Sequence, residues 1–272
     1  MSNLKNTLKK YKISLRKRWG QVFLIDKNIL KKILEAANLK KGDIVLEVGA
    51  GIGNLTKELA KRSKKVLAIE KDKKMIPVLR EELKDFKNVK IFEGDVRDLL
   101  EKIVQKLKSG NYKIVANMPY YLTSNLLRKI FSLRKKPKLI VLMVQKEVAE
   151  RILGKPKMNL LAISVQFFAK VKIFHYVSKN CFFPRPKVDS AILQITPQKP
   201  LFKNENAFFK IVKAGFLHPR KKILKNLAKG LKWEKEKVKN LLKICKIKEE
   251  ERAERLSLKD WVKLTKEFLK MK

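Results

Sequence analysis

The sequence predicts an α/β fold, a doubly wound and mostly parallel sheet, followed by a small all-helical C-terminal domain. Short apolar runs of strand length alternate with helical stretches from Ile44 to Val144, a pattern typical of parallel strands covered by helices. From Ala207 to Lys272 only helical periodicity remains. We therefore expect a basic N-terminal arm at 1–18, a main domain at 19–198 and a helical domain at 199–272.

The individual elements follow from the spacing of apolar residues. A helix is predicted from Asp26 to Asn38, and Gly42 then precedes the first buried strand. The buried strands are predicted at Ile44–Val48, Lys65–Ile69, Val89–Phe92, Lys113–Ala116 and Leu139–Val144. The helices between them are predicted at Leu55–Arg62, Lys73–Lys84, Val96–Leu107 and Ser124–Leu133. A helix at Asn159–Lys170 and a hairpin-like sheet edge made of Val171–Val177 and Ser190–Thr196 are expected to complete the main domain.

The charge of the chain indicates a polyanionic partner. Its 272 residues include 67 Lys and Arg but only 26 Asp and Glu, a net charge of +41 spread along the whole length. Nucleic acid is the first candidate and an anionic membrane surface the second. No apolar stretch is long enough to span a membrane, and the first residues lack the apolar segment of a signal peptide, so we expect a cytoplasmic protein. The two cysteines and two histidines are isolated, and we expect no metal.

Polar residues follow four of the predicted strands. Glu47 and the glycine turn come at the end of the first strand, and Glu70, Asp95 and Asn117 end or follow the next strands. Because the carboxyl ends of parallel strands meet at one edge of a sheet, these groups should lie around one ligand site.

The type of ligand follows from the details of this edge. Gly49, Gly51 and Gly53 let the backbone approach a ligand closely, but Asn54 stands where the dinucleotide fingerprint has its last glycine. Glu70 is placed to accept hydrogen bonds from ribose hydroxyls, and Asp95 from an adenine amine. The set favours S-adenosylmethionine over a nicotinamide cofactor.

The tetrapeptide Asn117-Met118-Pro119-Tyr120 predicts the chemistry. The side-chain oxygen of Asn117 and the carbonyl of Met118 can accept both hydrogens of an amino group. Pro119 locks its own φ, and Tyr120 offers a flat face on which a base can stack. An adenine amine is a weak nucleophile, since its lone pair is delocalised into the ring. The turn is therefore interpreted as a site that positions this amine for methyl transfer.

Eight segments resemble the KsgA-type small-subunit ribosomal RNA adenine dimethyltransferases over most of the chain. They are Arg16–Leu24, Glu47–Thr56, Glu70, Gly94–Asp95, Asn117–Tyr120, Leu142–Ala149, Phe182–Ser190 and Phe216–Leu224. The resemblance implies a Rossmann-like class I methyltransferase that dimethylates N6 of two adjacent adenosines near the 3′ end of 16S rRNA, with a role in small-subunit biogenesis. The expected partner is this rRNA in the small ribosomal subunit or its precursor, and the expected state is a monomer.

The resemblance also implies roles for particular residues. The S-adenosylmethionine contacts are expected from Val22, Leu24, Gly49, Gly51, Glu70, Asp95 and Asn117. The catalytic group is expected to be Asn117, Met118, Pro119, Tyr120 and Phe182, with Tyr120 and Phe182 holding the target adenine between their rings. Phosphate contacts are expected from Arg16, Lys17, Arg18, Lys187, Arg220, Lys221 and Lys222.

Two departures and three alternatives accompany this interpretation. The family usually has Asn or His at the position of Val22, and Met158–Ala162 lacks the family's Tyr-Gly-x-Leu-Ser pattern. A large-subunit rRNA methyltransferase of the erythromycin-resistance type has similar motifs. A non-catalytic RNA-binding assembly factor could keep the fold, although Glu70, Asp95, Asn117 and Tyr120 favour an enzyme. A nicotinamide-linked oxidoreductase is the weakest alternative because of Asn54.

Overall fold

The computed structural model describes residues 9–11, 13, 22–107, 110–117 and 122–272. Its contacts divide the chain into two compact units. The first contains the residues up to Ala149 together with Lys172–Pro197, and the second contains Glu150–Val171 together with Gln198–Lys272. The predicted basic arm lies mostly outside the described residues, and the predicted domain boundaries stay predictions.

The strands and helices of the first unit alternate along the chain. Its strands are β1 (Phe23–Leu24), β2 (Ile44–Val48), β3 (Lys65–Glu70), β4 (Val89–Glu93), β5 (Tyr112–Asn117), β6 (Leu139–Gln145), β7 (Ala169–Val177), β8 (Phe182–Phe183) and β9 (Ser190–Pro197), of which β7 begins in the second unit. Its helices are α1 (Lys27–Ala37), α2 (Asn54–Arg62), α3 (Ile76–Glu82), α4 (Val96–Gln105), α5 (Thr123–Ser132) and the start of α6 (Lys146–Ile152). The five predicted buried strands β2 to β6 agree with the structure to within one residue at each end.

Seven strands form one sheet in the order β4-β3-β2-β5-β6-β9-β7. Strands β4, β3, β2, β5 and β6 are parallel, whereas β9 is antiparallel to β6, with Leu193 opposite Leu142. The predicted doubly wound, mostly parallel sheet is therefore confirmed, as is the pairing of β7 with β9 at one edge. The sequence interpretation missed α6 and the two-stranded sheet in which Phe23 of β1 pairs with Phe183 of β8.

A buried ion pair ties helix α1 to the amino ends of two strands. The Nζ atom of Lys113 lies 2.8 Å from the Oδ2 atom of Asp43 and donates to the carbonyls of Ala37 and Asn38 at 3.1 and 2.5 Å. Asn38 ends the helix in the left-handed region, with a φ of 42°. The ammonium thus satisfies carbonyl groups that the helix leaves unpaired, at the edge of the sheet opposite the strand ends that carry the polar residues.

The second unit is helical and packs around large aromatic side chains. Its remaining helices are α7 (Leu160–Phe168), α8 (Glu205–Gly215), α9 (Ile223–Leu231), α10 (Lys235–Cys245) and α11 (Leu258–Lys270). Trp261 is fully buried, and Phe167 stacks on Phe208 with ring centroids 4.2 Å apart. Two glycines permit this packing: a Cβ at Gly215 would lie 2.3 Å from the Trp261 ring, and a Cβ at Gly230 would lie 2.6 Å from the backbone of Ala214. Among the described residues, no helix is both long and apolar enough to cross a bilayer.

Candidate active site

The carboxyl ends of β2, β3 and β5, with the turn after β4, surround one cleft. The sequence-predicted residues that line it are Val22, Leu24, Gly49, Gly51, Glu70, Asp95 and Asn117. Glu47, which the sequence also predicts at this edge of the sheet, lines the cleft as well. Further lining residues that the prediction did not include are Phe23, Ile52, Lys71, Asp72, Met75 and Leu122. The parallel register of the sheet explains this convergence, since each strand delivers its last residue to the same edge.

The glycine turn forms the floor of the cleft. Gly49, Gly51 and Gly53 have φ values of 77°, 57° and 86°, a region that side chains disfavour. The N–H of Gly49 donates to the carbonyl of Ile69 at 2.9 Å, which joins the turn to the end of β3. A Cβ on Gly51 would come within 3.3 Å of the Phe23 ring. The turn therefore exposes backbone to a ligand, and glycine is required there on conformational grounds.

The Glu70 carboxylate is fixed by backbone donors. Its Oε2 atom accepts from the N–H of Gly51 at 2.7 Å, and its Oε1 atom accepts from the N–H of Asp72 at 2.7 Å. Burial raises the pKa of this carboxyl, while these backbone hydrogen bonds act in the opposite direction. Each oxygen retains a second lone pair with which it can accept a hydrogen bond from a ligand hydroxyl.

Two cations hold the Asp95 side chain. Its Oδ1 atom accepts from the backbone N–H of Arg97 at 2.9 Å and from Nε at 3.0 Å, which makes Asp95 the N-cap of α4. Its Oδ2 atom lies 2.7 Å from Nη2 of Arg97 and 2.9 Å from Nζ of Lys71. The hydrogen bonds from Arg97 and the charge of Lys71 hold the pKa of Asp95 well below its usual range. The carboxylate is thus ionised at neutral pH, and its four lone-pair sites are occupied, so a ligand amine would take the place of the half-exposed Lys71 ammonium on Oδ2.

Glu47 is a cleft residue to which the sequence interpretation assigned no role. It is only 1% exposed, and within the described part of the chain neither its Oε2 atom nor the Oγ1 atom of Thr56 has a hydrogen-bond partner of ordinary geometry. Burial raises the pKa of Glu47 to about 8, with a further increase from the charge of Glu70 and a decrease from the nearby Thr56 hydroxyl. Glu47 is therefore mostly protonated at pH 7. The sequence signal for a role of Glu47 is the presence of an acid inside an otherwise apolar strand, two residues before the glycine turn.

The structure describes only part of the predicted catalytic group. Asn117 ends β5 and lines the cleft, whereas Met118, Pro119 and Tyr120 lie outside the described residues. Phe182 is 3% exposed and packs in the core beside α1 and the sheet, so a base could stack on it only after the ring is uncovered. The predicted roles of these residues stay predictions.

The predicted phosphate contacts are exposed where they are described. Lys187 is exposed in the segment between β8 and β9 of the first unit. In the second unit, Arg220, Lys221 and Lys222 are exposed immediately before α9. None of these four forms an ion pair with an acid of the described residues. Arg16, Lys17 and Arg18 lie outside the described part of the chain.

Comparison with known proteins places the chain in a family. The family model described as ribosomal RNA adenine dimethylase matches residues 12–270. A protein of Dehalococcoides mccartyi named ribosomal RNA small subunit methyltransferase A is 41% identical over 98% of this chain and 93% of its own length. A protein of the same name from Clostridium botulinum is 37% identical, with 97% of each chain covered.

Two solved structures are similar over nearly the whole chain. A dimethyladenosine transferase from Plasmodium falciparum superposes with a TM-score of 0.74 and 31% identity, covering 92% of this chain and 98% of that one. The 23S rRNA methyltransferase ErmE has a TM-score of 0.73 but 24% identity, with 90% and 98% covered, and supports the fold alone. On the family match and the full-length identities, the chain belongs to the ribosomal RNA adenine dimethylase family.

Proposed function

We propose that this protein dimethylates N6 of two adjacent adenosines near the 3′ end of 16S rRNA, using S-adenosylmethionine, and thereby takes part in small-subunit biogenesis. The observation that carries the proposal is the cleft itself. The glycine turn, Glu70 and Asp95 surround the same space as Asn117, so a cofactor held by the first three would face the first residue of the Asn-Met-Pro-Tyr tetrapeptide. The 37–41% identity to relatives named small subunit methyltransferase supports the choice of rRNA.

The residues of the cleft fit S-adenosylmethionine. The turn at Gly49 and Gly51 gives close access to backbone, and the carboxylate of Glu70 has lone pairs left for ribose hydroxyls. Ionised Asp95 can accept from an adenine amine that displaces the half-exposed Lys71 ammonium from Oδ2. The buried Oε2 atom of Glu47 has no partner among the residues that the structure describes, and an amino donor of a ligand would supply one. When bound, this cofactor supplies a methyl group already activated by its sulfonium.

The chain's own contribution to the reaction is positioning. The side-chain oxygen of Asn117 and the carbonyl of Met118 would accept the two amine hydrogens and aim the nitrogen lone pair at the methyl donor. The amine would take up the methyl group, with the neutral thioether as leaving group, and would then lose its surplus proton to solvent. A strong general base is not required, which agrees with the pairing of Asp95 to cations and the protonation of Glu47.

The charge distribution supports an RNA substrate. The net charge of +41 and the exposed Lys187, which pairs with no described acid, suit a polyanion that is held by its backbone. Binding should weaken with salt, and Lys187→Gln should lower the slope of log Kd against log salt by about 0.7 if this side chain contacts a phosphate of a single strand. A slope unchanged by the substitution would remove Lys187 from the RNA site.

Methylation of ribosomal subunits tests the proposed function. Undermethylated small subunits and, separately, large subunits are incubated with labelled S-adenosylmethionine, and modified nucleosides are read by mass spectrometry. Dimethyladenosine in small-subunit RNA alone is the expected result, with Asn117→Ala as the inactive variant. Dimethyladenosine in the large subunit would instead favour the erythromycin-resistance type, and tight RNA binding without transfer to either subunit would favour a non-catalytic assembly factor.

A further inference from the structure

Tyr176 is an aromatic side chain that the core does not use. It lies next to the end of β7, the outermost strand of the sheet, and is 48% exposed, more than any other aromatic residue that the structure describes. The Nζ atom of Lys146 lies over the ring, 5.5 Å from its centroid. One face of the ring is therefore beside a cation.

Basic and aromatic side chains alternate along this side of β7. Lys172, Phe174 and Tyr176 are two residues apart and so project to the same face of the strand. Lys172 is exposed, with its Nζ atom 5.8 Å from the centroid of the Phe174 ring. Neither Lys146 nor Lys172 forms an ion pair with a described acid, so both charges are available to an anionic ligand. The Phe174 ring is partly buried and packs against the core. The exposed residues are Lys146, Lys172 and Tyr176, and we call these three the edge platform.

The Lys146 end of the edge platform lies at the carboxyl edge of the sheet, where the cleft opens. Lys146 follows the end of β6, and its N–H donates to the carbonyl of Asp189 at 3.0 Å, just before β9 begins. In the parallel register of β5 and β6, Asn117 lies opposite Met143, three residues before Lys146. Strand spacings then put the Cα atoms of Asn117 and Lys146 roughly 10 Å apart. An RNA strand that leaves the cleft would reach the platform within a few nucleotides, at about 3.4 Å per stacked nucleotide.

Ordinary strand chemistry explains the lysines but not the exposed ring. Lysines on an outermost strand hinder pairing with other chains, and β-strands favour tyrosine where its ring packs against neighbours. Tyr176 keeps 48% of its surface exposed, so its ring contributes less to folding than a buried ring would. A half-exposed ring with one ammonium beside it and another further along the strand, neither paired with a described acid, has the composition of a site for single-stranded nucleic acid, in which bases stack on aromatics and cations contact phosphates.

We propose that the open face of Tyr176 stacks on a base of the RNA strand flanking the target adenosine, while Lys146 and Lys172 contact its phosphates. The inference rests on the proposed function, because it takes the strand entering the cleft to be RNA. It assigns Tyr176 a part in substrate binding and none in the transfer step. Substitution should therefore raise the KM for RNA and leave kcat and cofactor affinity unchanged.

A base analogue whose fluorescence reports stacking gives the direct test. Small-subunit RNA fragments carry 2-aminopurine at single positions on either side of the target adenosines, and each is saturated with protein in the absence of cofactor. We expect strong quenching at one flanking position with the wild type and with Tyr176→Phe, and loss of that quenching with Tyr176→Leu. The Kd for RNA should rise about tenfold in Tyr176→Leu, the size expected for one lost stacking contact.

Matched controls separate stacking from general effects of charge and folding. Lys146→Gln removes a lysine beside an aromatic ring, and Lys90→Gln removes the equivalent lysine 5.3 Å from Phe92 on β4, the opposite edge of the sheet. Only the first should weaken RNA binding, and all variants should keep the wild-type melting temperature. A quenching profile that is the same in Tyr176→Leu and the wild type, or an RNA Kd changed less than twofold, would overturn the inference.

Failure of the stacking site can be distinguished from failure of the proposed function, because RNA binding and 2-aminopurine quenching need no methyl transfer. Quenching that depends on Tyr176, in a protein that methylates neither subunit, would retain the stacking site and reject the enzyme. Normal dimethylation with quenching independent of Tyr176 would retain the enzyme and reject the stacking site.

Discussion

The carboxylate of Glu70 accepts a hydrogen bond from the backbone N–H of Gly51, with 2.7 Å between Oε2 and the nitrogen. The bond links the end of β3 to the glycine turn that follows β2, two segments that the sequence separates by 19 residues. The same carboxylate therefore shapes the turn and faces the cleft. The conformation of the turn and the position of the predicted ribose acceptor are coupled before any ligand binds.

Replacing Glu70 with Gln should weaken cofactor binding. An amide offers one acceptor oxygen and one NH₂ group, so either Gly51 or Asp72 would lose its acceptor and face a donor instead. Losing a hydrogen bond to a charged group costs about 1.5–3 kcal/mol, or roughly a 10- to 100-fold rise in Kd. Calorimetric titration with S-adenosylmethionine measures this. Glu93→Gln is the matched control, because Glu93 pairs with Glu70 in register but is exposed and outside the cleft lining.

Glu47→Gln should change how stability depends on pH. The folded-state pKa of Glu47 is raised to about 8 from 4.5, so between these values the folded protein keeps a proton that the unfolded chain has lost. The free energy of unfolding that the protonated Glu47 contributes is fully present below pH 4.5 and falls as pH rises towards 8. Gln keeps the neutral shape, so its stability advantage over the wild type should grow across this range, to at most about 5 kcal/mol.

Urea unfolding at pH 5, 7 and 8.5 measures this difference. The Glu93→Gln variant, which changes an exposed acid, should show the same pH dependence as the wild type. Parallel stability curves for Glu47→Gln and the wild type would mean that Glu47 titrates near its ordinary pKa and that water reaches the carboxyl group in solution.

The strands could be predicted closely because each is a short apolar run bounded by turn residues. β2 to β6 match to within one residue at each end, and the parallel register then explains why Glu70, Asp95 and Asn117 line one cleft. β1 and β8 could not be predicted in this way. Each is two residues long, and their pairing depends on a contact between Phe23 and Phe183, far apart in sequence.

The electrostatics of the cleft were not predictable from residue types. The sequence shows that Asp95 follows a strand, but it does not show that Arg97 and Lys71 fold onto its two oxygens. It shows Glu47 in an apolar strand, but complete burial beside Glu70 is a tertiary effect. Local pattern therefore indicated which groups meet, while packing determined their protonation and their partners.

Asp95→Asn should lower cofactor affinity without unfolding α4. Asn caps helices as well as Asp does, so the helix start is retained. The charged acceptor for the adenine amine is lost, and the bond to an uncharged oxygen is weaker by roughly 1 kcal/mol, about a fivefold rise in Kd. Binding of S-adenosylhomocysteine, followed by calorimetry, measures the change. Asp98→Asn, an exposed acid in the first turn of the same helix, should bind like the wild type, and equal losses in both variants would point to a general effect of charge.

Gly230→Ala should destabilise the helical unit although alanine is the better helix former. A Cβ at position 230 in α9 would lie 2.6 Å from both Cα and Cβ of Ala214 in α8, and backbone cannot rotate away as a long side chain can. Overpacking of this kind costs about 1–3 kcal/mol beyond the gain of roughly 1 kcal/mol in helix propensity.

Thermal unfolding, with hydrogen exchange of the α9 amides, should show lower stability for Gly230→Ala. Gly42→Ala is the control, because a Cβ there meets nothing within 4 Å and its φ is ordinary. That substitution should leave the melting temperature unchanged or slightly raised, since alanine restricts the unfolded chain. Equal stability in the two variants would show that α8 and α9 can separate by a fraction of an ångström without loss of packing, and that Gly230 is not required for their contact.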